Sequence, residues 1–263
     1  SSTSRGLGDV YKRQVLQQVE HFNNPSLGLN DAFKTVTRFW DRITHPAQVI
    51  QSLPQAIATM LDPADCGPAF IGLPQDVQGW CYNYPEQLFE KKVHRIRRSA
   101  PDKEDIKEAV KVLKTAKRPI IIAGGGVQYS GAVESLSEFA EAYKIPVVET
   151  IAGRANMLAT HPLNIGPIGV TGSNSANNIA EKADVILAIG TRLQDFTTGS
   201  WTAFAQDAKF VSINAARFDA HKHLSLPVVA DAKVAINSLH EALDGFRLRQ
   251  TGPLMPKKSD KLG

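Results

Sequence analysis

One feature constrains this chain more than any other. Between about Ala100 and Asp244, short apolar runs alternate with stretches whose apolar residues recur at helical spacing. Ile106, Ala109, Val110 and Leu113 share one face of a predicted helix, and Pro119 to Ala123 then read as a buried strand. Val133, Leu136, Ala140 and Tyr143 mark the next helix, and Ile145 to Glu149 the next strand. Further strands are predicted at Asp184 to Ile189, Lys209 to Asn214 and Leu226 to Ala230, before a last helix carrying Ile236, Leu239 and Leu243. Strands that are apolar throughout, rather than in alternation, are covered on both faces. The pattern therefore predicts an α/β fold: an open parallel sheet with helices on both faces.

The segment before it, about Val15 to Tyr84, has a different texture. A helix is predicted from an N-cap at Thr44, with Pro46 in its first turn and Ile50, Leu53, Ile57, Met60 and Leu61 on its apolar face. Pro54 should kink or shorten that helix. Ala69 to Leu73, bounded by Pro68 and Pro74, reads as a buried strand. Residues 85–100 are charged and aperiodic, which predicts a connector between two domains, 15–84 and 101–244, with tails at 1–14 and 245–263.

Charge and composition exclude several classes. The formal net charge is +4, but residues 1–14 carry +2 and residues 245–263 carry +4, leaving −2 for 15–244. A slightly acidic body gives no support for nucleic-acid binding. No apolar run reaches the roughly 20 residues of a membrane helix. Two cysteines, Cys66 and Cys81, make no disulfide framework, so a reducing, cytoplasmic setting is expected.

Gly124-Gly125-Gly126 stands between a predicted strand and a helix, where bare backbone can approach a phosphate. A dinucleotide fingerprint needs a third glycine at 129, which is Tyr. Ligand cradle and tight turn both remain open readings. Gly190-Thr191-Arg192 follows another strand and is expected along the same sheet edge. Gly124, Gly125, Gly126, Thr191 and Arg192 are thus the candidate cofactor-binding residues. Asn164 to Gly172 reads as a glycine-punctuated loop, and His221-Lys222-His223 as a solvated turn rather than a metal pair. No catalytic residue and no metal ligand emerges.

GGGVQYSGA at 124–132, with IPVVET, AIGTRLQDF and VVADAK, resembles the central domain of thiamine-diphosphate-dependent enzymes, the relatives of acetolactate synthase and pyruvate oxidase. GPAFIGLPQDVQG resembles the end of that family's pyrimidine-binding domain, so the central domain is expected to follow the C-terminal part of a second α/β domain. VLQQVEH, NDAFKTVTRFWDRITHP and TGSWTAF resemble the branch that opens a cyclic dione in inositol breakdown. The resemblance implies a parent enzyme with thiamine diphosphate and Mg²⁺, a small cyclic dione as substrate and a homo-oligomeric assembly. FAD, held by the central domain in some relatives, is not expected. The family's ring-activating glutamate belongs to a first domain with no counterpart here. The only Gly-Asp pair, Gly8-Asp9, is followed by Val10 and does not form the family's metal motif. GDVYKRQ in the tail resembles translated adapter sequence. The expectation is a fragment, inactive by itself; a synthase fragment and a non-catalytic nucleotide-binding module are the alternatives.

Overall fold

The computed structural model describes residue 23 and residues 28–247. The tail 1–14, the VLQQVEH block and the residues beyond 247 lie outside these. The chain divides into two units between Arg97 and Arg98.

In the first unit, β1 (Phe39–Arg42) pairs in parallel with β2 (Ala69–Gly72), Phe39 opposite Ala69 and Arg42 opposite Gly72. Parallel pairing requires a crossover, and α1 (Val49–Leu61) supplies it. The helix starts later than its sequence predicts: His45, not Thr44, is the cap, and its ring nitrogen accepts from the Ala47 amide over a 3-10 turn at Pro46–Gln48. Pro54 neither breaks nor shortens α1. The buried face also differs from the predicted one, because Ser52 and Ala56 are the buried residues while Leu53 and Met60 are exposed. Small side chains let the helix approach closely, and the Ser52 hydroxyl donates to the Asp41 carboxylate on β1. The predicted strand at 69–73 is half-buried rather than buried, and Leu73 falls outside it. A single turn, α2 (Gln75–Gln78), follows.

The second unit opens with Arg98, whose guanidinium meets the buried Asp231 carboxylate at 2.8 Å. Then come α3 (Lys103–Thr115), β3 (Pro119–Ala123), α4 (Gly125–Tyr129), α5 (Val133–Tyr143) and β4 (Val147–Glu149). Next are β5 (Asn164–Pro167), α6 (Asn174–Lys182), β6 (Val185–Ile189) and α7 (Asp195–Thr198). The unit closes with β7 (Lys209–Asn214), α8 (Arg217–Ala220), β8 (Leu226–Val229) and α9 (Ala232–Ala242). Asp102, Ser173 and Asp231 cap α3, α6 and α9 by accepting first-turn amides.

The six strands form one parallel sheet in the order β5-β4-β3-β6-β7-β8. Alternate residues of β3 enter different cores, as a period of two dictates. Ile121 and Ala123 pack with α3, α5 and α9, whereas Ile120 and Ile122 pack with α6. Both faces are covered, as the continuous apolar strands predict. β5 falls where the sequence reads as a loop. It is an edge strand joined to β4 through a register shift at Val147/Val148, with Gly166 at φ +107° and Pro167 at its end. Glycine and proline are tolerated at such an edge. No helix among the described residues is long and apolar enough to cross a membrane.

Candidate functional site

Strand order locates the site. From β3 the chain moves outward through β4 and β5, then returns to lay β6 on the other side of β3. At such a reversal the loops leaving two adjacent strands diverge, and open α/β sheets take ligands in the crevice beyond those carboxyl ends. Here the two strands are β3 and β6, with Ala123 beside Ile189, so the loops that follow are Gly124 to Gly126 and Gly190 to Arg192. The two sequence candidates do lie along the same edge.

The crevice is closed by backbone. Gly124 donates its amide to Ile189 and Gly126 donates its amide to Gly190, both at 2.9 Å. A Cβ on Gly124 would run into the Gly190 carbonyl and stand 2.7 Å from the Thr191 Cα. One on Gly126 would stand 2.6 Å from the Gly190 Cα, and Gly190 itself has φ +59°. Three glycines are thus accounted for by one loop packing on the other. Gly125 points elsewhere, toward the Ala152 carbonyl. Thr191 is buried, its hydroxyl accepting from the Leu193 amide and its carbonyl from the Asn214 side chain. Arg192 is exposed and turns to Asp219, 3.6 Å away. The structure therefore brings Gly124, Gly126, Gly190 and Thr191 together and leaves Gly125 and Arg192 at the margins.

Other polar residues of this edge are not apparent in the sequence. Asp219 is buried between Arg192 and Lys222, and the Lys222 ammonium also donates to the Arg192 carbonyl at 3.0 Å. The predicted solvated turn at 221–223 thus holds a lysine tied into the edge. Glu149 closes β4, the strand beside the glycine loop, and its carboxylate accepts from the Met157 amide at 3.0 Å. β4 is the neighbour of β3 on the side away from β6, so Glu149 stands beside the glycine loop, whereas β7 lies two places away. Asn156, fully buried, donates to the Gly124 carbonyl at 2.8 Å, while its Oδ1 has no partner among the described residues. Large apolar side chains stand exposed just beyond the strands: Ile151 after β4, Val170 after β5, Phe196 after β6 and Phe218 after β7.

Comparison with known proteins gives this edge a context. Residues 106–239 match the family described as thiamine pyrophosphate enzyme, central domain. The chain belongs to the thiamine pyrophosphate enzymes, and its second unit is their central domain. Among curated relatives, it is 44% identical over 243 residues to the 3D-(3,5/4)-trihydroxycyclohexane-1,2-dione hydrolase of Geobacillus thermodenitrificans, covering 91% of this chain and 38% of that protein. It is 47% identical over 234 residues to the hydrolase of the same name from Bacillus licheniformis, covering 89% and 37%. For the Clostridium tetani protein of that name the identity is 47% over 242 residues, covering 90% and 38%. The chain spans under two fifths of the length of these relatives.

Among the described residues, no group of three or more carboxylate, imidazole or thiol side chains is placed to hold a metal ion, at this edge or elsewhere. A magnesium diphosphate is held by one or two carboxylates together with its own phosphate oxygens, and the two buried carboxylates of this edge are engaged, Glu149 by the Met157 amide and Asp219 by the Lys222 ammonium. The glycine loops are occupied by one another.

Proposed function

We propose that this chain is the middle part of a longer thiamine-dependent hydrolase that opens the ring of 3D-(3,5/4)-trihydroxycyclohexane-1,2-dione to 5-deoxyglucuronate in inositol breakdown. The observation that carries this reading is the extent of the likeness. Identity of 44–47% runs over 234 to 243 residues, well beyond the domain match at 106–239, and so takes in part of the first unit. The central domain alone is common to many activities of the family, whereas the first unit lies outside that shared match.

Thiamine diphosphate and Mg²⁺ would be held by parts of the parent outside these residues, with the cyclic dione as substrate in a cytoplasmic homo-oligomer. The role of this chain in that assembly is to supply a rigid sheet whose carboxyl edge is braced by Gly124, Gly126, Gly190 and Thr191. Assay of the full-length reading frame with the dione and with pyruvate, each with thiamine diphosphate and Mg²⁺, tests the reading. Ring opening without acetolactate formation is expected; acetolactate from pyruvate with no action on the dione would replace it by a synthase.

A further inference from the structure

At the amino-terminal edge of the same sheet, away from the glycine loops, a cleft of about 530 Å³ opens between α3 and the starts of β7 and β8. That volume lies in the range of small-molecule sites. One wall is aromatic. The Trp201 indole lies 5.4 Å from the Phe210 ring and 5.9 Å from Phe204, centroid to centroid, and the Phe204 and Phe210 rings meet edge to face at 5.1 Å. The His223 ring also lies against Trp201.

The backbone that presents these rings is unusual on both walls. Gly199, Ser200 and Trp201 are three consecutive left-handed residues, with φ +55°, +51° and +69°. His223 and Leu224 are another pair, at +59° and +56°. Left-handed backbone at a bulky residue persists where packing fixes it, as the rings of Phe204 and Phe210 do for Trp201, and such residues gather at ligand clamps.

The cleft is also lopsided in charge. No carboxylate lines it, and Lys209 at its rim forms no ion pair among the described residues. His223, whose pKa lies below the usual histidine value, is the only other titratable side chain of the lining, so Lys209 is the lining ammonium.

We propose that this cleft binds a small aryl carboxylate, its ring against Phe204 and Phe210 and its carboxylate on the Lys209 ammonium. Offset and edge-on ring contacts favour an aromatic body. A carboxylate beside an otherwise unpaired ammonium gains a charge-assisted hydrogen bond that a neutral amide does not. This inference is independent of the dione chemistry.

The test uses the whole chain and phenylacetate as the probe, read by the Trp201 indole N–H resonance, which Trp201→Phe identifies. A saturable shift is expected with phenylacetate. Phenylacetamide and acetate should bind at least roughly tenfold more weakly, and Lys209→Gln should weaken phenylacetate by a similar factor. Should Lys209→Gln disturb folding, the comparison of acid with amide on the unaltered chain decides. The absence of a saturable shift, or equal affinity for phenylacetate and phenylacetamide, overturns the proposal.

Discussion

Gly190 has φ +59°, and a Cβ placed on Gly126 would stand 2.6 Å from its Cα, so a side chain at either position must force two strand ends apart. Gly190→Ala combines a left-handed alanine with an overpacked contact and should cost about 2–4 kcal/mol. Gly125 behaves differently. The sequence makes it the natural probe of the loop, on the condition that its φ is positive, and it is not among the positive-φ glycines. Its Cβ would meet the Ala152 carbonyl at 3.1 Å, a tight contact opposed by the better helix propensity of alanine. Gly125→Ala should therefore stay within about 1 kcal/mol of the parent chain. Urea unfolding of both variants checks the contrast, and equal losses would contradict it.

His223 offers a second test at this scale. Partial desolvation of this otherwise exposed ring lowers its pKa below 6.5, the adjacent Lys222 adds to the effect, and Asp195 opposes it. Between the folded and unfolded pKa values the unfolded chain binds more protons, so stability rises with pH across that window. The contribution is whole above about 6.5 and is lost as pH falls from there through the folded value. Urea midpoints measured on either side of that window should fall on acidification, and fall less in His223→Gln. An identical fall in the variant would assign the effect to other groups.

Among the elements, those buried on both sides were the readable ones. β3 coincides with its predicted span because a strand covered on both faces is apolar throughout, and β7 coincides through its buried Val211-Ser212-Ile213 centre. At the margins the outcome differs: the edge strand β8 lies within its predicted span, whereas β1 and β5 were not readable. β1 reads Phe-Trp-Asp-Arg and β5 ends in Gly-Pro, compositions that edges accept and propensity disfavours. The buried side of α1 was misread because small residues, not large ones, meet β1. The same limit governs the site. Glycines at 124–126 and 190 can be seen in the sequence, but the packing of Gly124 and Gly126 on Gly190 follows from β6 lying beside β3, a non-local fact. Residues 93–97 are exposed and without regular structure, whereas Arg98 is ion-paired to Asp231 and the Ser99 carbonyl accepts the Asp231 amide. Limited trypsin digestion should cut first at Lys91, Lys92, Arg95 or Arg97 and leave a core containing 98–247. Early cleavage between β3 and β7 would show that the second unit is not an autonomous folding unit.

For the whole molecule, a Rossmann-like strand order has its crevice filled by its own backbone, and Glu149 is engaged by Met157. A helix N-terminus contributes only about 0.3–1 kcal/mol to an exposed anion, whereas micromolar binding needs about 8 kcal/mol. Calorimetric titration with FAD and with ADP should accordingly show no micromolar binding; a dissociation constant at or below that level would restore the glycine loops as a nucleotide cradle.

The proposed function puts the reacting groups of the thiamine enzyme outside these residues. The direct measurement is ring opening of 3D-(3,5/4)-trihydroxycyclohexane-1,2-dione by the 263-residue chain, with thiamine diphosphate and Mg²⁺, beside the full-length reading frame. Turnover by the full-length protein and none by the chain is the predicted result. Saturable turnover by the chain alone would contradict it, since the reacting groups would then lie among these residues.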